Sequence, residues 1–229
     1  MIELALQPSN KMRKMKLQSA PVIFLAFLVL TNFTLLKDKP VFSYKVYGNI
    51  ANYFEDEKDL VSFFNFKKGD FVAEVGALSG ENIAGLSILT DSVTFYAEDI
   101  NTKTLNKKNF DKVIKKSKKY KDPSTCNFEL RIGTEKSTNL PDSSFDKIIL
   151  SATLHEFSFM NEMLSDIYKK LKNGGHLYIL ESHCFNKTHK NYSANEAISL
   201  AEKFNFILVK KDGKDLNGGS GIYRLILKK

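Results

Sequence analysis

Eleven residues, KDGKDLNGGSG, separate the last two apolar runs of the sequence, Phe206–Lys210 and Ile222–Leu227. A crossover between parallel strands takes a dozen or more residues, usually a helix, and this Gly-rich connection supplies neither. The two runs are therefore expected to pair antiparallel, as a hairpin. Upstream, short apolar runs alternate with longer amphipathic ones, the pattern of a mostly parallel sheet wrapped by helices. Strands are expected at Phe71–Val75, Val93–Glu98, Phe128–Ile132, Lys147–Ser151 and His176–Glu181, ahead of the hairpin. Helices are expected at Glu81–Leu89, Thr102–Lys118, Asn161–Leu171 and Ser193–Phe204. The predicted class is α/β, a seven-stranded mostly parallel sheet with helices on both faces and a C-terminal antiparallel hairpin. Before the first strand, NIANYFEDEKDLVSFFNF spaces its apolar residues as one face of a helix, predicting an amphipathic helix over Ile50–Phe66.

A chain of 229 residues with 43% hydrophobic and 12% aromatic content can fill the core of one such domain and carry an extra segment. The extra segment is the first forty residues, with the domain itself expected over 41–229. Lys11, Arg13, Lys14 and Lys16 precede a charge-free run from Leu17 to Leu36 whose apolar heart is APVIFLAFLVL. As a helix those twenty residues would span roughly 30 Å, enough for a bilayer. A secretory signal peptide has the same layout, but no small-x-small cleavage site follows. A membrane anchor is the expectation, with a removed signal (an exported protein) or a buried soluble helix as the alternatives. Basic residues stand on both sides of the run, so they do not fix which side of a membrane the domain occupies.

Net charge is +8, and Asn101–Lys121 holds nine lysines against one aspartate. No aromatic residues interleave a basic patch in the manner of base-stacking surfaces, so no nucleic-acid partner is expected. A solvated lysine face accounts for the charge, with attraction to anionic lipid headgroups as the second reading. Cys126 and Cys184 cannot form a disulfide framework, and no Cys/His cluster points to a metal.

The segment VAEVGALSGENIAG, Val72–Gly85, reads as a buried strand, a glycine turn and the opening of a helix. Gly76 and Gly80 remove side chains where the backbone must turn sharply and let a ligand approach. A dinucleotide loop wants Gly-x-Gly-x-x-Gly, which this spacing misfits. Asp99, closing the second expected strand in YAEDIN, lies 23 positions after Gly76, near the distance at which an acid accepts hydrogen bonds from ribose hydroxyls.

Over about Phe66–Lys229 these signals resemble the class I S-adenosylmethionine-dependent methyltransferases. Four segments carry the resemblance: Glu74-Val75-Gly76-Ala77-Leu78-Ser79-Gly80; Asp99 in YAEDIN; LPDSSFDKIILSATLHEF, Leu140–Phe157; and LKNGGHLYILESH, Leu171–His183. The resemblance implies S-adenosylmethionine as cofactor, held by Glu74, Gly76, Ala77, Gly80, Asp99, Ile100, Thr134, Glu135 and Ser151. Two positions depart from the family pattern. Leu78 stands at the middle glycine, and RIGTEKS offers Thr134 and Glu135 where an adenine-contacting acid is common. Leu78 is expected to point outward against the helix that begins near Glu81.

The fourth strand ends in SATLHEF and lacks Asn/Asp-Pro-Pro-Tyr, so the resemblance implies a small-molecule or lipid- and quinone-like methyl acceptor. His155, Glu156 and His183 follow the carboxyl ends of strands four and five, where open α/β sheets bind ligands. They are the candidate catalytic residues, with His155 the candidate base. The competing reading is an exported, non-catalytic module that keeps the fold.

Overall fold

The computed structural model describes residues 41–122, 125–183, 192–214 and 221–229. Residues 1–40 lie outside it, and with them the expected anchor and its boundary. Among the described residues no helix is long and apolar enough to cross a membrane.

The seven strands are β1 (Phe71–Val75), β2 (Thr94–Asp99), β3 (Asn127–Ile132), β4 (Phe145–Ser151), β5 (Leu171–His183), β6 (Ile207–Lys214) and β7 (Gly221–Lys228). They form one sheet in the order β3-β2-β1-β4-β5-β7-β6. β1 to β5 pair parallel, whereas β7 runs antiparallel to β6, as the short final connection requires, and antiparallel to β5 as well. Three strands separate β3 from β5, so the sheet puts Cys126, just before β3, far from the end of β5; Cys184 is outside the described residues.

The helices are α1 (Tyr44–Tyr47), α2 (Glu57–Phe64), α3 (Glu81–Ile88), α4 (Lys107–Ser117), α5 (Met160–Lys170) and α6 (Ala194–Glu202). They cover both faces of the sheet, which is why its central strands are apolar on both sides. One core layer joins Val72, Phe95 and Ala97 to Phe64, Leu86 and Phe110. The other joins Val75, Ile148 and Leu150 to Leu164, Ile167 and Ala197. α4 buries Phe110 and Ser117 and turns its lysines to solvent.

Two expectations are corrected. The predicted helix over Ile50–Phe66 is broken into a 3-10 segment, Gly48–Tyr53, and α2. Asp56 starts α2 by accepting the Asp59 amide at 2.9 Å, and Asn65 ends it in a left-handed conformation. A side chain that caps a new helix cannot also continue the old one. Likewise α4 begins at Lys107 and not at Thr102, because the Asn106 side chain caps it by accepting the Asn109 amide at 3.0 Å.

Candidate functional site

The site grows from the turn between β1 and α3. Gly76, Leu78 and Gly80 all have positive φ, at 76°, 51° and 90°. A Cβ on Gly76 would lie 2.5 Å from Thr153 Cγ2, and one on Gly80 would lie 2.6 Å from the Phe110 ring. The turn is stitched to β2: Ala77 N donates to the Glu98 carbonyl at 2.8 Å, and Leu78 N donates to Asp99 Oδ2 at 2.8 Å. Leu78 has therefore taken over the backbone conformation of the missing glycine. Its side chain is 56% exposed and borders the cavity, which corrects the expectation that it packs against α3.

Asp99 is buried at the end of β2, and its second oxygen accepts the Asn101 amide at 2.8 Å. An ionised carboxylate offers about four lone-pair positions. With one backbone donor on each oxygen, Asp99 keeps acceptor capacity for hydroxyls entering from the cavity.

That cavity, ≈ 400 Å³, opens at the carboxyl ends of the strands. The volume is in the range of small-molecule and cofactor pockets. Six of the nine predicted cofactor residues line it: Gly76, Asp99, Ile100, Thr134, Glu135 and Ser151. Glu74, Ala77 and Gly80 do not; they support the turn from behind. Ile100, 53% exposed, gives the cavity an apolar face beside Asp99. The Thr134 hydroxyl is committed locally, accepting the Ser137 amide at 3.1 Å, and Glu135 is solvent-exposed.

A polar chain braces the other side. Asn49 Oδ1 accepts from Ser151 Oγ at 3.2 Å and from Asn82 Nδ2 at 2.6 Å, and Asn82 Nδ2 also donates to Glu74 Oε1 at 2.5 Å. The segment before α2 is thereby tied to the cofactor turn and contributes Asn49 to the cavity wall. Sequence reasoning missed Asn49, Glu98, Thr153, Phe157 and Met163, all of which line the cavity. Only Glu98 left a signal, as the first member of an acidic pair closing a strand.

Two buried carboxyls have an oxygen with no partner among the described residues, Glu74 Oε2 and Glu98 Oε1. Burial pushes each up to about 8, further supported at Glu98 by the neighbouring Asp99 charge.

His155 sits on a 3-10 turn, Leu154–Glu156, after β4. Its Nδ1 lies 2.9 Å from Glu181 Oε2 and its Nε2 lies 3.2 Å from Glu156 Oε1. Carboxylates accept only, so these contacts favour a ring protonated on both nitrogens. The Glu181 hydrogen bond accordingly raises the His155 pKa above its ordinary value. His155 itself does not line the cavity, whereas Glu156 does, with its side chain 62% exposed. His183 closes β5, and its side chain lies outside the described residues.

The residues fit S-adenosylmethionine: acceptors at Asp99 for ribose, an apolar face at Ile100 and Leu78, and a carboxyl-rich wall for a cation. Residues 73–179 match the family model described as a methyltransferase domain. No curated protein matches the sequence. Among solved structures, a SAM-dependent methyltransferase from Aquifex aeolicus matches with a TM-score of 0.55 and 17% identity, over 80% of this chain and 92% of that one. A SAM-dependent methyltransferase from Methanosarcina mazei gives a TM-score of 0.58 at 15% identity, over 74% of this chain and 96% of that one. Haemonchus contortus phosphoethanolamine N-methyltransferase 2, in complex with S-adenosyl-L-methionine, gives 0.59 at 12% identity, over 81% of this chain and 56% of that one.

Proposed function

We propose that the protein is a class I S-adenosylmethionine-dependent methyltransferase, a reading supported by the match of residues 73–179 to a methyltransferase-domain model, and that it methylates a small-molecule or lipid- and quinone-like acceptor while attached to a membrane through its N-terminal segment. The bound cofactor supplies a sulfonium methyl for a nucleophile aligned with the S–CH3 bond. The chain has to position that nucleophile and, where it holds a proton, take the proton away.

The observation that carries the acceptor reading is the wall facing Asp99. It is built from the segment after β4, with Ala152, Thr153, Glu156, Phe157 and Ser158, together with Met163 of α5. Phe157 and Met163 suit an apolar acceptor body, and Glu156 is the carboxylate on that wall. His155 acts through Glu156: held by Glu181 on one nitrogen, it presents the other to the Glu156 carboxylate. Glu156 would then receive the acceptor's proton, with His155 as a positioning residue. One structural neighbour is a phosphoethanolamine N-methyltransferase, so this fold accommodates small acceptors elsewhere. Membrane attachment is supported by the charge-free run Leu17–Leu36 between basic flanks.

The test incubates the full chain with methyl-labelled S-adenosylmethionine and either a lipid extract or an aqueous metabolite extract. Label in lipid or small molecules, reduced at least tenfold in kcat by Glu156→Gln, supports the reading. Label appearing only in added protein or nucleic acid overturns it.

A further inference from the structure

Glu98 is the last side chain but one of β2 and faces the opposite side of the sheet from Asp99. It lines the cavity, yet it is only 1% exposed. One carboxyl oxygen receives the Gly76 amide, while Oε1 has no partner among the described residues. The space for Oε1 exists because residue 133 is glycine: a Cβ there would lie 1.9 Å away. The charged groups acting on Glu98 are Asp99 on its own strand and Asp166 on α5, both negative, while Arg131, its register partner on β3, is exposed and lies 5.8 Å from the Tyr96 ring. Buried groups of this kind need a reason to be charged, and the free protein gives Glu98 only the Gly76 amide, which burial and the Asp99 charge outweigh. Burial and Asp99 push its carboxyl up to about 8, so at neutral pH it holds a proton. Glu74 differs on two points: it does not line the cavity, and its Oε1 is bonded to Asn82.

The ligand of this cavity changes charge during the reaction. It arrives as a sulfonium cation and leaves as a neutral thioether, while its amino-acid and nucleoside parts stay the same. We propose that Glu98 is the charge-balancing residue of the site: it is a neutral acid while the cavity holds no sulfonium and a carboxylate while it holds one. Donor binding then releases one proton to solvent and product binding does not. After methyl transfer the carboxylate has lost its cation, recovers a proton from solvent, and leaves the product in an uncharged surround. The proposal rests on the cofactor reading above. It makes preference for donor over product rise about tenfold per pH unit up to about 8, then level off.

The experiment is calorimetric titration of the full chain at pH 7 with S-adenosylmethionine and with S-adenosylhomocysteine, in two buffers of different ionisation heat. Proton release by the shared amino-acid part cancels in the difference between ligands. The expected result is close to one extra proton released by the donor, abolished in Glu98→Gln, with the donor-to-product affinity ratio falling about tenfold. Equal release by the two ligands overturns the inference alone. So does a difference that persists in Glu98→Gln and vanishes in Glu74→Gln. Binding of neither ligand overturns the cofactor reading as well. Infrared difference spectra of the wild type need no variant: the donor should bleach a protonated-carboxyl C=O band that the product leaves in place, and a band unchanged by both ligands refutes the proposal.

Discussion

Gly76→Ala tests the turn at its tightest point. Two penalties add in the structure. At φ 76° an L-residue is strained by about 1–2 kcal/mol. The new Cβ would also lie 2.5 Å from Thr153 Cγ2 and 2.7 Å from Thr153 Oγ1, an overlap of the kind that costs ~1–3 kcal/mol. Together they destabilise by roughly 2–5 kcal/mol, a fall in Tm of roughly 5–15 °C for a chain of this size. The two parts can be separated in a double-mutant cycle. Thr153→Ala removes both atoms that the new Cβ strikes but leaves the φ strain. Calorimetric melts of the four proteins should therefore show a favourable coupling of about 1–3 kcal/mol between the substitutions. A Gly76→Ala protein melting within about 2 °C of the wild type would refute the reasoning. Strict additivity in the cycle would refute the overlap part by itself.

Glu74 offers a pH test with a fixed sign. Its carboxyl is pushed up from 4.5 to about 8 by burial, so between those values the folded chain keeps a proton that the unfolded chain has lost. Stability attributable to this group falls as pH rises through that window, and Glu74→Gln should gain on the wild type from pH 5 to pH 8 by on the order of 1–3 kcal/mol; a gap that does not change with pH sinks this account. For His155, Glu181→Gln should lower the ring's titration midpoint in NMR, since the Glu181 hydrogen bond is the first cause of its elevation; an unmoved midpoint would show that Glu181 does not set it. Leu78→Gly exchanges about 1 kcal/mol of left-handed strain for a similar loss of chain entropy and half-exposed apolar surface. Melting should shift by no more than about 1 kcal/mol equivalent, and cofactor affinity should hold or improve; binding seen only in the variant would make Leu78 a plug.

The sheet was legible because its signals are local. Apolar runs set six strand positions to within a few residues, and the length of KDGKDLNGGSG alone dictated the antiparallel β6–β7 pair. Where helix periodicity ran on past a side-chain cap, at Asp56 and Asn106, the hydrophobic pattern could not show the break. The site divides in the same way. Gly76 and Asp99 are found from spacing, because their roles follow from position along adjacent strands. Asn49 joins the wall through bonds to Ser151 and Asn82, 102 and 33 positions away, which no local pattern encodes. His155 was placed on the right turn, yet its direction depends on Glu181 across the β4–β5 pair, and that turned it behind Glu156.

The central claim is that S-adenosylmethionine sits over Asp99 at the carboxyl ends of β1 and β2. Calorimetric titration of the full chain with S-adenosylmethionine, beside Asp99→Ala, measures it directly. The two backbone donors that Asp99 holds at 2.8 Å, and the ribose hydroxyls expected to share its free lone pairs, are lost together in the variant. The account predicts one-to-one binding by the wild type, weakened by about 1.5–3 kcal/mol in a folded Asp99→Ala protein. Equal affinity in the two proteins would contradict it.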